Sequence, residues 1–396
     1  MVTVGERRSS GTAVLRGAAK AALGAMVVAG LGWAVPAAAK PLVDCPLRDA
    51  PFSVQSPLID VLLSPAAKAV IDRAGGGRLA KMPPRFAGTT PPSFAAILSV
   101  REGASLAGIK PEMLPQIDAE LRAVPVTRAD KIARCARYDT VPPKLTVPAG
   151  RPRLLLFEKI NGFRDGPSVD AAHAAFLALA REKNWAIVTT ENGAAFTPAI
   201  LRQFDAVIWN NISGDVLTLR QRRAFQDWMA GGGGFVGVHG SAGDPAYFWD
   251  WYADTLIGAR FKGHPMAPQF QDAKVRIDEA AHPIARGLPA EWVMNDEWYS
   301  FRSNPRDTGS RIVATLDEST YKPEGMGGSL RMGDHPIAWT RCVGRDGPGR
   351  GRMFYSAIGH RPERYGDALY RQMLTQAIEW AADRGAKECQ SAGAAK

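Results

Sequence analysis

From Arg153 onward the chain alternates short, mostly apolar segments with amphipathic ones, and this rhythm constrains the fold more than any other feature. "RLLLFE", "WAIVTT", "DAVIWNN" and "FVGVHG" read as strands covered on both faces. Between them, Val169 to Lys183, "TPAILRQF" and "LTLRQRRAFQDWMAGGGG" carry helical periodicity. Strand and helix in alternation predict an α/β fold with a parallel sheet wrapped on both faces. Ligands of such sheets bind outside the carboxyl ends of the strands, so Asn161 to Arg164, Asn210 to Asp215 and His239 to Asp244 are expected on one rim. Beyond Gly258 the pattern turns irregular and β-rich. Candidate strands are "QFQDAKVRI", "EWYSFR", "RIVATL", "IAWTR" and "RMFYSAIGH", and a last helix runs from Pro362 to Ala382.

The flanks read differently. Residues 1–39 have Arg7, Arg8, Arg16 and Lys20, an apolar run and then "PAAAK", the pattern of a secretory signal cleaved after Ala39. This predicts a periplasmic or secreted protein with no membrane span once the signal is removed. Residues 40–138 look mainly helical: "SPLIDVLLSPAAKAVIDRAGGG" opens on a capping serine, and "KPEMLPQIDAELRAV" and "TRADKIARCARY" are amphipathic. Residues 139–152 form a proline-rich linker, 153–385 the α/β domain and 386–396 a tail. Four cysteines lie beyond the leader. In an oxidising compartment the simple pairing is Cys45 with Cys135 and Cys342 with Cys389, with other pairings open.

The formal charge of +10 overstates the basicity of the mature chain, because four Lys/Arg against one acid sit in the leader, leaving 10 − 3 = +7. The remaining cations are dispersed, and the densest group, "GRDGPGRGR", reads as a glycine-rich hairpin loop, so nucleic acid is not an expected partner. The glycine run Gly231 to Gly234 lacks G-K-[ST] and opens no G-x-G-x-x-G helix. No nucleotide cofactor is expected, and a helix end turning into a buried strand accounts for the glycines.

Chemistry points instead to histidine. His239 stands in G-V-H-G at the end of a strand, where many α/β enzymes present a nucleophile; His264, His282 and His335 precede prolines, and His360 lies in "IGHRPE". His173 sits in a helix pattern, and "AHPIARGLP" makes His282 a helix start with Pro283 at its first position. Imidazoles on strand-end loops, with Asp244, Asp296, Glu297 and Asp334 as the carboxylates, fit either a divalent metal site or general acid/base chemistry. Trp298 and Tyr299 beside the acidic pair offer flat faces of the kind sugars stack on, or a packing face.

Taken together, "KINGFR", "DAVIWNNISGDVLT", "AGGGGFVGVHGSAGD", "FKGHP", "AAHPIARGLP", "DEWYSFRSNPR", "MGGSLRMGDHPIAWTR" and "GRMFYSAIGHRPE" resemble the ThuA-like, trehalose-utilisation domain over roughly 152–383. The resemblance implies the class I glutamine amidotransferase-like fold, a flavodoxin-like three-layer sandwich. Where the amidotransferases carry a nucleophilic cysteine in G-x-C-x-G this chain has His239, so glutaminase activity is not expected. Asp165 follows "GFR" where the family commonly has histidine, and Ile160 stands where threonine is frequent.

The resemblance implies carbohydrate metabolism, with a glycoside or keto-sugar derivative of trehalose type as substrate. Expected catalytic residues are His239, His360, Glu297 and Asp296. Lys159, Arg164, Asn211, Asp244, Trp298, Tyr299 and His335 are expected to bind substrate, and His239, His264 and His360 to ligate zinc or manganese if a metal is used. Two other readings compete: a non-catalytic carbohydrate-binding protein on the same fold, and an amidase or esterase working through Ser241.

Overall fold

The computed structural model describes residues 42–385, 388 and 389. The leader expected over 1–39 and most of the tail lie outside the described residues. The α/β domain is organised on nine strands: β1 (Arg153–Phe157), β2 (Ala186–Thr190), β3 (Ala206–Asn210), β4 (Gly234–Val238), β5 (Phe270–Ile277), β6 (Glu291–Glu297), β7 (Arg311–Asp317), β8 (Pro336–Val343) and β9 (Gly351–Ser356). They form one sheet in the order β2-β1-β3-β4-β9-β8-β7-β5-β6. The first five are mutually parallel, β9 pairing with β4 in that sense. The last four extend the sheet antiparallel. The expected α/β sandwich is therefore present, with a parallel core continued by a β-rich wing.

Helices α5 (Gly166–Lys183), α6 (Leu219–Ala230) and α7 (Ala368–Ala382) cover this core. Neighbouring residues of a strand point to opposite faces. Phe235 of β4 meets Phe225 of α6, whereas a Cβ on Gly234 would strike the Ala381 carbonyl of α7. Asn210 of β3 donates to the Val169 carbonyl of α5, from the face opposite Trp209, whose ring stacks on Phe225. One face thus carries α5 and α7, the other α6. The glycine run after α6 has a packing cause: a Cβ on Gly233 would enter the Trp228 ring.

Some elements differ from expectation. The strand anticipated at "EWYSFR" is reduced to Ser300–Phe301, paired with Phe261–Gly263, and the longer strand β6 lies just before it. "TPAILRQF" makes a single turn, Pro198–Leu201. The last helix is split into a 3-10 turn, Pro362–Gly366, and α7, because the Asp367 side chain accepts from Leu369 N–H and Tyr370 N–H and starts a new helix.

Ahead of the sheet, α1 (Leu58–Leu62), α2 (Pro65–Ala74), α3 (Leu114–Ala123) and α4 (Arg128–Cys135) enclose their own apolar core of Phe52, Ile59, Val61, Ile71, Ile117 and Leu121. The helix expected to begin at Ser56 is broken: Pro57 sits at the N-cap of α1, and Ser64 caps α2. Thr127 and Asp130 form a capping box on α4. A buried Arg137–Asp60 ion pair at 2.6 Å joins α1 to the residues after α4. This segment docks on the sheet domain: Ser93 N–H donates to Asn161 O, Ala246 N–H to Ile97 O and Leu219 N–H to Asp44 O.

Both disulfides of the simple pairing are present, Cys45–Cys135 and Cys342–Cys389. They fit an oxidising compartment. Among the described residues no helix is long and apolar enough to cross a membrane.

Candidate functional site

The site is built at the carboxyl end of β4. There the chain enters a 3-10 turn, His239–Ala242, with His239 at φ +36. A β-carbon makes that conformation costly, on the order of 1–3 kcal/mol, so surrounding bonds must enforce it. Tyr355 donates to the His239 carbonyl at 2.7 Å, Gly240 N–H donates to Asn211 Oδ1, and Ser241 Oγ donates to the Trp209 carbonyl. Gly243 lets Tyr299 close in, since a Cβ there would lie 2.7 Å from its hydroxyl. Tyr299 in turn packs on the His239 ring at 4.2 Å.

This turn aims the imidazole at two partners from distant strand ends. His239 Nε2 lies 3.1 Å from His360 Nδ1 and 3.4 Å from Glu297 Oε2, and the last two are 3.0 Å apart. The His239 tautomer follows from the far side of its ring. His239 Nδ1 is 2.7 Å from the Ala357 carbonyl, which can only accept, so its proton is there and Nε2 presents a lone pair. His360 Nδ1 lies 3.0 Å from Glu297 Oε2 and its Nε2 3.5 Å from Asp165 Oδ2, so the proton of the neutral ring can sit toward either carboxylate. Glu297 Oε1 accepts from Gln269 at 2.5 Å and lies 3.1 Å from His264 Nδ1, so Oε2 is left for the triangle. With the proton of a neutral His360 on Nε2, three electron-pair donors converge on one point.

Such a cluster attracts positive charge. Burial pushes the Glu297 carboxyl up, but His239 and His360 beside it prevail and hold it well below the usual carboxylate range. For His360, burial opposes the charged form, and Glu297, Asp165 and Asp296 prevail to raise it above an ordinary imidazole. A proton can meet this demand, and so can a metal ion. In tetrahedral zinc sites with bonds of about 2.0–2.1 Å, neighbouring ligand atoms stand about 3.3 Å apart, close to the three edges here. His239, Glu297 and His360 are able to hold such an ion. His264 stands outside the triangle and contacts it only through Glu297.

The other expected residues divide sharply. Asp296, adjacent to Glu297 on the strand, points the other way: Oδ1 accepts from Glu297 and Arg361 N–H and Oδ2 from Gly359 N–H, so it clamps the loop that carries His360. Burial raises its carboxyl, while His239 and these amides oppose the rise. Asn211 braces the elbow and bonds Tyr365 Oη. Asp244 accepts from Ser213 Oγ and Gly214 N–H, closing a neighbouring loop. Trp298 is fully buried and donates to the Gln271 carbonyl.

His335 is buried between Glu318 at 2.8 Å and the Tyr299 carbonyl at 2.9 Å, behind the site. Lys159 pairs with Asp139 and Arg164 with Asp170, neither in contact with the triangle. Asp334 pairs with Arg306. Ser241 is buried and spends its hydroxyl on backbone, donating to Trp209 O and accepting from Ile212 N–H, which removes it as a nucleophile. Gln269 and the Ala357 carbonyl carried no signal in the sequence, since one is an unremarkable loop amide and the other is backbone.

Comparison with known proteins identifies the family. The profile of the ThuA family, described as trehalose utilisation, matches residues 153–381. A ThuA-like protein from Bacteroides uniformis is similar in structure, with 25% identity and a TM-score of 0.50 over 60% of this chain and 94% of that one. Another, from Parabacteroides merdae, has 18% identity and a TM-score of 0.45 over 58% and 90%. The glutaminase domain of Trypanosoma brucei CTPS with bound acivicin has 10% identity and a TM-score of 0.33 over 57% and 94%. No curated protein matches the chain. The chain belongs to the ThuA, or trehalose utilisation, family.

Proposed function

We propose that this protein is a periplasmic or secreted enzyme of carbohydrate metabolism, and that His239, Glu297 and His360 hold a divalent cation with which it acts on a glycoside or keto-sugar derivative. The observation carrying the reading is the convergence of two imidazole nitrogens and one carboxylate oxygen, each with a partner behind it. The nitrogen-rich donor set suits zinc better than magnesium or calcium, with manganese as an alternative. Three protein ligands leave a tetrahedral ion one open position. A cation bound there supplies Lewis acidity toward an oxygen and lowers the pKa of a coordinated water.

The chain's own residues do the positioning. Ala357 O fixes the His239 tautomer and Asp165 backs the His360 ring, as outer partners of ligating histidines do. Gln269 and His264 hold one oxygen of Glu297 so that the other faces inward. Tyr299 covers the His239 ring and keeps bulk water from that side. The leader expected over 1–39 and the paired cysteines support a location outside the cytoplasm.

The test is the metal content of the mature protein, purified without a histidine tag, beside His239→Ala, Glu297→Gln and His360→Ala. The expected result is one equivalent of zinc or manganese in the parent and near none in the variants. Parent protein that stays metal-free after incubation with both ions refutes the proposal.

A further inference from the structure

Single exposed apolar side chains are ordinary on a folded surface, so the informative ones are those that border a site. Among the described residues the exposed aromatic side chains are Phe163, at 42% of its surface, and Phe270, at 38%. Both border His360. Phe270 packs against its ring with centroids 5.2 Å apart. Phe163 lies two residues before Asp165, whose carboxylate faces His360 Nε2 at 3.5 Å. Met266, exposed at 44%, follows His264 by two residues.

Phe163 is also held in place. Its N–H donates to Ser213 Oγ at 3.0 Å, and its ring packs on Phe94 at 5.0 Å, which packs on Phe86 at 5.4 Å. Phe94 and Phe86 belong to the helical segment. Gly162 approaches that segment so closely that a Cβ would lie 2.3 Å from Ile97 Cγ2. The helical segment thus fixes the loop that carries Phe163 and Asp165.

We infer that Phe163, backed by Phe94, and Phe270 form a saccharide-binding subsite in which a sugar ring lays its apolar face on phenyl rings next to the His239–Glu297–His360 cluster. The surroundings favour a sugar over a hydrocarbon group. The Arg361 guanidinium lies over the Phe270 ring at 5.7 Å and Arg164 follows Phe163, so guanidinium donors for hydroxyls accompany each ring. The inference rests on the carbohydrate reading above and gives the helical segment, which lies outside the family match, a part in recognition.

The experiment is isothermal titration of the full-length mature protein with a panel of disaccharides that includes trehalose. It compares the parent with Phe163→Ala, Phe270→Ala, Phe163→Trp and the control Val293→Ala, whose side chain is 65% exposed on β6. Each phenylalanine-to-alanine change is expected to weaken binding by about tenfold. Phe163→Trp should restore it, and the control and the metal content of all variants should be unchanged. Parent-like affinity in both alanine variants overturns the subsite and leaves the metal proposal standing. No binding of any disaccharide to the parent overturns the subsite and the carbohydrate reading together, while metal content still reports on the cluster by itself.

Discussion

His282 offers a quantitative check on the energetics of this fold. It caps the 3-10 turn Pro283–Ala285, its Nδ1 accepting from Ile284 N–H at 3.1 Å while Nε2 faces Thr340 Oγ1 at 3.1 Å. The residue is only 1% exposed. Burial, helped by the charge of Arg311 and opposed by Glu279, lowers its pKa from 6.5 to about 4. The neutral form is thus built into the native state. Between those two values the unfolded chain binds a proton that the folded chain refuses, so stability falls as pH drops through 6.5 and the loss levels off below about 4.

Between pH 7 and pH 4.5 this one residue should cost about 2.5 kcal/mol. The perturbation is His282→Asn, whose side chain can still cap Ile284 N–H without titrating. Denaturant unfolding of both proteins at pH 7, 6, 5 and 4.5 isolates the residue, because other titrating groups are shared and cancel in the difference. The variant should be the less stable at pH 7, and its deficit should shrink by about 2.5 kcal/mol by pH 4.5. A deficit that is constant across the range would mean that His282 titrates alike in both states, and the argument from burial would fail.

Two further outcomes follow from burial and connectivity. Burial lifts Asp244 from 3.8 to about 7 against the pull of Ser213 and Gly214, so its cost is absent below the lower value, grows as pH rises and is complete above the higher one. Asp244→Asn should therefore raise stability at pH 8 by up to about 4 kcal/mol and do nothing at pH 3.5, and equal melting temperatures at pH 8 would contradict this. Removing the Cys342–Cys389 bridge by paired serine substitutions releases a loop of sequence separation 47. The expected loss is about 4 kcal/mol in guanidinium unfolding, less than the parent loses on full reduction, which opens Cys45–Cys135 as well; an unchanged midpoint would show that the bridge restrains nothing.

The parallel core was legible because its strands are buried on both faces and read as apolar runs; every residue of β3 and β4 is buried. β6 was not legible. "EWVMNDE" mixes charged and apolar residues on a half-exposed edge strand, and the apolar residues after it, Trp298 and Tyr299, pack into the core beyond the strand's end rather than extending it. Sequence could mark Asp296 and Glu297 as a pair but could not separate their tasks. Strand alternation does so, sending one carboxylate to the backbone amides of 359–361 and its neighbour to the imidazoles.

Histidines posed the same difficulty. His282 and His335 stand before prolines as His264 does, yet both are locked among buried partners, and only the acceptor behind His239 reveals which of its ring nitrogens faces the cluster free. The positive φ at His239 then gains a physical reading. A glycine would adopt it without strain but would present no nitrogen, and the strain is tolerated because this backbone aims Nε2 at Glu297 and His360. The elbow at the end of β4 therefore serves to direct an imidazole nitrogen at two partners from distant strand ends. It follows that activity should depend on where that nitrogen points more than on its basicity.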